Sequence, residues 1–157
     1  MNGSKRICVV TGSRAEYGLL YPLMADMEDS KEFDLQLIVT GMHLSKRYGD
    51  TVQLIRADGF KIVREIDIQI GSDNAVGICK SMGLGLIGFA NAYEELKPDL
   101  LVLLGDRFEL LSAASAALIS KIPVAHIHGG EVTTGAYDDA IRHSITKMSH
   151  LHFTSTA

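Results

Sequence analysis

Residues 99–109 read DLLVLLGDRFE, an apolar run followed directly by a glycine and a cluster of charged side chains. Apolar runs of this length, without polar alternation, are typical of strands covered on both faces of a parallel sheet. The next segment, residues 108–120, has the apolar spacing of a helix. This stretch therefore predicts a buried strand, a short polar turn and a crossover helix.

The same unit recurs along the chain. Further apolar runs are RICVVTG (6–12), FDLQLIVTG (33–41), FKIVREIDI (60–68), IPVAHIHGG (122–130) and LHFTST (151–156). Segments of helical period lie at 17–29, 46–57, 74–96, 108–120 and 138–149. Strands joined by crossover helices form a parallel sheet with helices on both faces. We expect an α/β fold: one doubly wound, six-stranded, Rossmann-like domain over residues 1–157, with strand order 3-2-1-4-5-6. Because the chain stops directly after a strand, we also expect it to be half of a larger protein.

Composition excludes several classes of protein. The chain has 157 residues, of which 46 % are hydrophobic and 22 % charged, as expected for a globular domain with one core. A net charge of −4 provides no electrostatic basis for binding nucleic acid or an anionic membrane. The first apolar run is too short for a signal peptide or a membrane span. Cys8 and Cys79 match no metal-binding or redox spacing, which predicts reduced thiols in a cytoplasmic protein.

Two glycine-containing patterns bear on nucleotide binding. GLGLIG (83–88) matches the dinucleotide expression but lies inside a predicted helix, so close helix packing is the better explanation. The first strand-to-helix turn, TGSRAEYG (11–18), lacks both the spaced glycines of an NAD site and the ending of a P-loop. It offers Ser13 and Arg14 to a phosphate or carboxylate, although Arg14 also fits a structural role at a strand end.

Ligands of open parallel sheets bind outside the carboxyl ends of the strands. The predicted order brings three polar turns to that edge: Ser13, Arg14 and Glu16; Asp106, Arg107 and Glu109; and His126, His128 and Glu131. A fourth contribution comes from YDDAIRHS, with Asp138 and Asp139 at a helix start and Arg142 and His143 one turn later. Aspartates at a helix start also cap free N–H groups, so one of the two has a structural explanation.

The segment HIHGGE (126–131) has three interpretations. H-x-H on a strand directs both imidazoles to one side, as zinc and iron sites require, with a further carboxylate as ligand. It also fits the polar end of a buried strand. We favour the third interpretation, acid/base chemistry or substrate binding, because the nearby arginines suit an anionic substrate without a metal ion.

Together, VTGSRAEYGLLYPL, KPDLLVLLGDRFELLSAASAA, IPVAHIHGGE and DDAIRHSITKMSHLHF resemble the N-terminal domain of the hydrolysing UDP-N-acetylglucosamine 2-epimerases. The likeness extends to relatives that act on a 2,4-diacetamido sugar nucleotide in legionaminic acid synthesis. It implies one half of a GT-B-type architecture, in which a second domain, absent from this chain, binds most of the UDP. It also implies a UDP-sugar substrate, no cofactor, a homo-oligomer and the first step of sialic acid synthesis.

The resemblance also implies roles for individual residues. Asp106 and Asp138 match catalytic acidic positions of the family, and Arg14, Arg142 and His143 match basic ones. One departure concerns His128, which stands where the family's HIEGGE pattern has a glutamate; Glu131 is retained. We therefore expect Asp106, His128, Glu131 and Asp138 to be catalytic, and we expect substrate binding by Ser13, Arg14, Arg107, Asp139, Arg142 and His143.

The expected reaction releases UDP by elimination across C1 and C2 and then hydrates the resulting glycal. It converts UDP-N-acetylglucosamine to N-acetylmannosamine and UDP, or acts likewise on UDP-2,4-diacetamido-2,4,6-trideoxyglucose, and the isolated domain is expected to be inactive. Two alternatives are a non-catalytic, truncated dimerisation module and a GT-B glycosyltransferase domain.

Overall fold

The computed structural model describes residues 3–130, 132 and 137–155. Six parallel strands form one sheet in the order β3-β2-β1-β4-β5-β6. The strands are β1 (Lys5–Thr11), β2 (Phe33–Thr40), β3 (Ile62–Ile66), β4 (Leu100–Leu104), β5 (Val124–Ile127) and β6 (Leu151–Phe153). The predicted fold class, strand number and strand order are confirmed.

Helices cover both faces of the sheet. They are α1 (Arg14–Asp29), α2 (Val52–Ala57), α3 (Ala75–Leu96), α4 (Phe108–Ile119) and α5 (Asp138–Met148). One core cluster joins the sheet to α3, α4 and α5, and contains Phe89, Leu110 and Ile145. The other joins the sheet to α1 and α2, and contains Leu20 and Ile55. The sheet is therefore the middle of three layers, which is the doubly wound arrangement.

Strand β1 explains why the apolar runs are continuous. Ile7 and Val9 belong to the cluster on the α1 face, whereas Cys8 and Val10 belong to the cluster on the α3 face. Because successive side chains of a strand point to opposite faces, a strand in the middle layer needs apolar residues at every position. Cys8 is buried and Cys79 is exposed, and both are free thiols, as predicted.

Two helices differ from their predicted bounds. Helix α1 begins at Arg14, three residues before the apolar period, because Ser13 caps it: the Glu16 N–H donates to Ser13 Oγ at 3.4 Å. The Glu16 carboxylate in turn accepts from the Gly12 N–H at 2.7 Å, in the manner of a capping box. The segment 46–57 is not one helix; Gly49, at φ 89°, separates a 3-10 turn (Lys46–Tyr48) from α2.

The prediction that the glycines of GLGLIG allow α3 to pack closely is confirmed for two of the three. A Cβ at Gly88 would lie 2.5 Å from Ile66 Cγ2, and one at Gly85 would lie 3.1 Å from Ser112 Cβ, but Gly83 has open space. Helix α3 also has the length and apolar composition of a membrane span. In this fold it packs along α4 and against β3.

Candidate functional site

A charged cluster lies where β4 ends and α5 begins. Asp106 follows Gly105, which has φ 93° and turns the chain sharply out of β4. The Asp106 carboxylate forms an ion pair with Arg142, whose side chain is only 8 % exposed. Arg142 Nη1 also lies 3.9 Å from Asp139 Oδ1. A buried guanidinium between two carboxylates therefore links the edge of the sheet to the first turns of α5.

The first turns of α5 supply the rest of this cluster. His143 Nε2 lies 3.5 Å from Asp139 Oδ1, four residues earlier on the same helix face. Asp138, the first residue of α5, is exposed, and its side chain forms no ion pair or hydrogen bond with another described residue. Of the residues predicted in this region, the structure thus brings together Asp106, Asp139, Arg142 and His143.

The two histidines of HIHGGE have different environments. His126 is fully buried, with Nε2 2.7 Å from the Gly105 carbonyl oxygen and Nδ1 3.0 Å from Thr146 Oγ1. The carbonyl can only accept, so Nε2 carries the proton and Nδ1 accepts from the threonine hydroxyl. Burial lowers the pKa of His126. This neutral imidazole holds the Gly105 turn, and with it Asp106, against β5 and α5.

Strand β5 ends at Ile127, so His128 is the first residue after it; His128 has φ 58°. Its N–H donates to the Phe153 carbonyl at 2.8 Å. Because the strand ends before it, the strand geometry that would direct both imidazoles to one side does not extend to His128. Within the described residues, no group of three or more His, Cys, Asp or Glu side chains is placed to hold a metal ion. Glu131 lies outside the described residues.

A second group of predicted residues surrounds a cavity of about 370 Å³ beside the start of α1. Ser13, Arg14 and Arg107 line it, together with Tyr48 and Thr51. Arg14 is exposed, and the Ser13 hydroxyl is engaged as the helix cap. Two guanidinium groups and a helix N-terminus favour an anionic ligand at this position.

A larger cavity, of about 540 Å³, lies next to this one and shares Tyr48 and Arg107 with it. Arg107, next to Asp106, and Tyr137, next to Asp138, both line it, with Arg47, Tyr48 and Phe108. The cavity is therefore lined by the sequence neighbours of two predicted acids, Asp106 and Asp138. The sequence contained no signal for Arg47 or Tyr48, which come from the turn after β2.

Two buried carboxylates, Glu16 and Glu109, were predicted to lie at the carboxyl edge of the sheet, but the sequence analysis assigned them no function. Glu109 is fully buried and its Oε1 accepts from Arg107 Nε at 2.6 Å. Glu16, 6 % exposed, has Oε1 3.9 Å from the same Nε. Burial and the charge of Glu109 raise the pKa of Glu16 to about 7. Both residues lie in the first turn of a helix, α1 or α4, where acidic residues are common as helix caps. The sequence therefore does not reveal that the two carboxylates share Arg107.

Comparisons with known proteins identify similar sequences and a family. The UDP-N-acetylglucosamine 2-epimerase family matches residues 25–157. A Campylobacter jejuni protein named GDP/UDP-N,N'-diacetylbacillosamine 2-epimerase (hydrolyzing) is 49 % identical over 96 % of this chain. A Legionella pneumophila UDP-N,N'-diacetylbacillosamine 2-epimerase (hydrolyzing) is 43 % identical over 97 %, and a Neisseria meningitidis UDP-N-acetylglucosamine 2-epimerase is 37 % identical over 96 %. The chain spans 39–40 % of the length of each of these relatives.

A solved structure shows the same fold. The UDP-GlcNAc 2-epimerase from Neisseria meningitidis, bound to UDP-GlcNAc, superposes with a TM-score of 0.80 at 23 % identity over 95 % of this chain and 39 % of that one. The family match covers most of the chain, and the structural likeness extends to the segment before it. The chain therefore belongs to the UDP-N-acetylglucosamine 2-epimerase family.

Proposed function

We propose that this chain is the sugar-binding half of a hydrolysing 2-epimerase that converts UDP-N-acetylglucosamine to N-acetylmannosamine and UDP. The observation that carries the proposal is the ion pair of Asp106 with buried Arg142, beside Asp139 and His143. These residues come from the turn after β4 and from the first turns of α5, which are far apart in sequence. Clustered carboxylates, guanidinium and imidazole groups are what proton transfer next to an anionic leaving group requires.

The proposed reaction has two steps. A base removes the proton on C2, its electron pair forms the C1–C2 double bond, and the C1–O bond breaks so that UDP leaves with that bond's electrons. Water then adds to the glycal, with a proton arriving at C2 on the opposite face and hydroxyl at C1. We assign these proton transfers to Asp106, His128, Glu131 and Asp138. Neighbouring charges keep such acids and bases in different protonation states, so neither step needs NAD or a metal ion.

Binding is divided between the two residue groups. We assign the sugar to Asp139, Arg142 and His143, and the inner part of the diphosphate to Ser13, Arg14 and Arg107. The arrangement of Arg14 and Arg107 around one cavity supports the second assignment. A second domain is proposed to hold the remainder of the UDP, which predicts little or no turnover by this chain alone.

A second candidate substrate is UDP-2,4-diacetamido-2,4,6-trideoxyglucose. It is favoured by the relatives named for diacetylbacillosamine, at 49 % and 43 % identity, against 37 % for the relative named for UDP-N-acetylglucosamine. His128, in place of the glutamate of the HIEGGE pattern, is the residue we expect to distinguish the two subgroups. The elimination and hydration steps are the same for both sugars.

The test is a chimera in which this chain replaces the matching 39 % of the Campylobacter jejuni relative. Each UDP-sugar is incubated with it in D₂O and followed by proton NMR. We expect UDP and a free 2-epimerised sugar with deuterium at C2, from one or both substrates. A product that keeps its C2 proton would exclude the elimination mechanism. Transfer of the sugar to an added acceptor, without free sugar, would instead support a glycosyltransferase.

We also propose that the chain forms a homo-oligomer through α3 and α4. Apolar side chains on these helices are exposed, among them Val76, Leu84 and Ile87 on one face of α3 and Ile119 at the end of α4. Several exposed apolar side chains on neighbouring helices are typical of a protein interface. Ile87 is 63 % exposed, so its replacement by glutamate leaves the core unchanged and is expected to yield monomers.

Sedimentation of wild type and Ile87→Glu at micromolar concentration tests this prediction. The matched control is Leu19→Glu, because Leu19 is 61 % exposed on α1, over the opposite face of the sheet. Wild-type monomers, or an unchanged assembly mass for Ile87→Glu, would show that α3 is not the interface.

A further inference from the structure

Arg107 occupies the boundary between the two cavities of the site. It lines both the cavity of about 370 Å³ and the cavity of about 540 Å³. Its Nε is bonded to Glu109, whereas neither Nη group makes a hydrogen bond within the described residues. The guanidinium is therefore fixed through Nε and keeps its two outer donor groups for another partner. A guanidinium donates to phosphate and carboxylate oxygens through such paired groups.

The carboxylate that fixes Arg107 sits in a space made by two glycines. A Cβ at Gly12 would lie 2.4 Å from Glu109 Oε1, and one at Gly41 would lie 2.9 Å from the same atom. Gly41 also has φ 61°, a conformation that other residues rarely adopt. The turns after β1 and β2 thus both leave room for the Glu109 side chain, which is fully buried.

Fold stability alone does not explain this carboxylate pair. Glu16 Oε1 and Glu109 Oε2 are buried and lack a hydrogen-bond partner among the described residues. Each such atom carries a desolvation cost, and a buried ion pair is on average no more stabilising than apolar residues of the same volume. Burial lowers the pKa of Arg107, but the neighbouring Glu109 and Glu16 raise it overall. The arrangement therefore favours a charged guanidinium held in one orientation.

We propose that Glu109 is a positioning residue that holds Arg107 by Nε, so that the two Nη groups of Arg107 bind diphosphate oxygens of the ligand. This deepens the proposed function and rests on it for the identity of that ligand, a nucleoside diphosphate sugar. Diphosphate binding itself is testable on this chain whether or not the epimerase proposal is correct.

The binding test uses UDP and inorganic pyrophosphate as probes, titrated into the chain at low salt. Arg107→Met is expected to weaken both by at least about tenfold, the usual size of a lost charge-assisted contact. Glu109→Gln keeps the shape and removes the charge, and we expect most of the same loss. The double variant is expected to bind no more weakly than Arg107→Met alone, because both changes act through one guanidinium.

Each outcome decides the proposal. Wild-type chain that binds neither probe at millimolar concentration, or Glu109→Gln that binds like wild type, would overturn it. Losses that add in the double variant would also overturn it, since they would indicate a general structural role. If Glu109→Gln does not fold, NMR of the wild type provides the test. On binding of the probe, the ¹⁵N–¹H signal of Arg107 Nε, which is held by Glu109, must persist while the Nη signals shift. A chimera that lacks epimerase activity but keeps this pattern would refute only the proposed function.

Protonation of Glu16 gives a second readout. The charged and polar groups that face it are Glu109 from α4, Arg107, and the backbone N–H groups of Gly12 and Ser13. With a pKa of about 7, Glu16 gains its charge as pH rises through neutrality and then competes with the diphosphate for Arg107. The pyrophosphate affinity of the wild type should therefore fall from pH 6 to pH 8 relative to the affinity of Glu16→Gln. This variant is the control for the titration of pyrophosphate itself.

Discussion

Replacing Asp106 by asparagine is expected to lower the turnover of the active chimera by at least about 100-fold, equivalent to roughly 2.7 kcal/mol in the activation free energy. The substitution keeps the size of the side chain and removes its charge. Asp106 is the carboxylate that the turn after β4 presents to buried Arg142, so asparagine abolishes the ion pair as well as any proton transfer. Such a loss appears mainly in kcat when the group acts in the transition state.

The matched control is Asp34→Asn, because Asp34 is exposed at the amino end of β2, on the opposite edge of the sheet. Its turnover should equal that of the wild type. Circular dichroism and the melting temperature must show that Asp106→Asn remains folded, since Arg142 loses an anionic partner. A rate within threefold of wild type for a folded Asp106→Asn would remove Asp106 from the mechanism.

The strands could be predicted because a single physical requirement determines their sequence. A strand between two helical layers is apolar on both faces. The buried residues of β4 are all apolar, and those of β1 are apolar except for Thr11 at its end. The start of α1 could not be predicted from apolar spacing, since polar residues make its first turn. Its cap depends on Ser13 and Glu16, whose polar side chains equally suggested a role in ligand binding.

Within the site, sequence reasoning succeeded where the rule about strand ends applies. It brought Asp106 and Arg142 to one edge, and the structure places them in an ion pair. It did not identify Glu109 as the partner of Arg107, because that contact depends on the space left by Gly12 and Gly41. The close approach of residues from three separate turns depends on the tertiary structure, and no local sequence pattern predicts it.

The histidines show the same limit. Alternation along a strand predicted that His126 and His128 would share a direction, but β5 ends at Ile127. His126 instead became a buried, neutral link between Gly105 and Thr146. Where a strand ends is set by its neighbours in the sheet, so the chemistry of residues just past that point is the hardest to predict.

A third histidine, His43, is expected to make the stability of the fold strongly dependent on pH. It is fully buried in the turn after β2, with Nε2 3.0 Å from Thr11 Oγ1 and Nδ1 2.7 Å from Thr51 Oγ1. Burial lowers its pKa from 6.5 to about 4. The unfolded chain therefore binds a proton at His43 between these values while the folded chain does not, so stability is complete above pH 6.5 and is lost as pH falls.

The expected size is roughly 1.4 kcal/mol per pH unit, or about 3 kcal/mol over the whole window. Glu16 acts in the opposite sense. Burial raises its pKa from 4.5 to about 7, so the folded chain retains a proton that the unfolded chain has lost, and its contribution to stability is lost as pH rises. In wild type the two effects oppose each other across most of the same range, and a flat profile would conceal both.

Variants separate the two contributions. We expect the free energy of unfolding, measured with urea at intervals between pH 4.5 and 6.5, to rise more steeply with pH in Glu16→Gln than in wild type. In His43→Gln it should rise less steeply than in wild type, or fall. Differences between variants cancel the titration of all other groups, so the sign of each difference tests one residue. Parallel profiles for His43→Gln and wild type would mean that His43 is protonated equally in the folded and unfolded chain, which its buried contacts with two threonine hydroxyls make unfavourable.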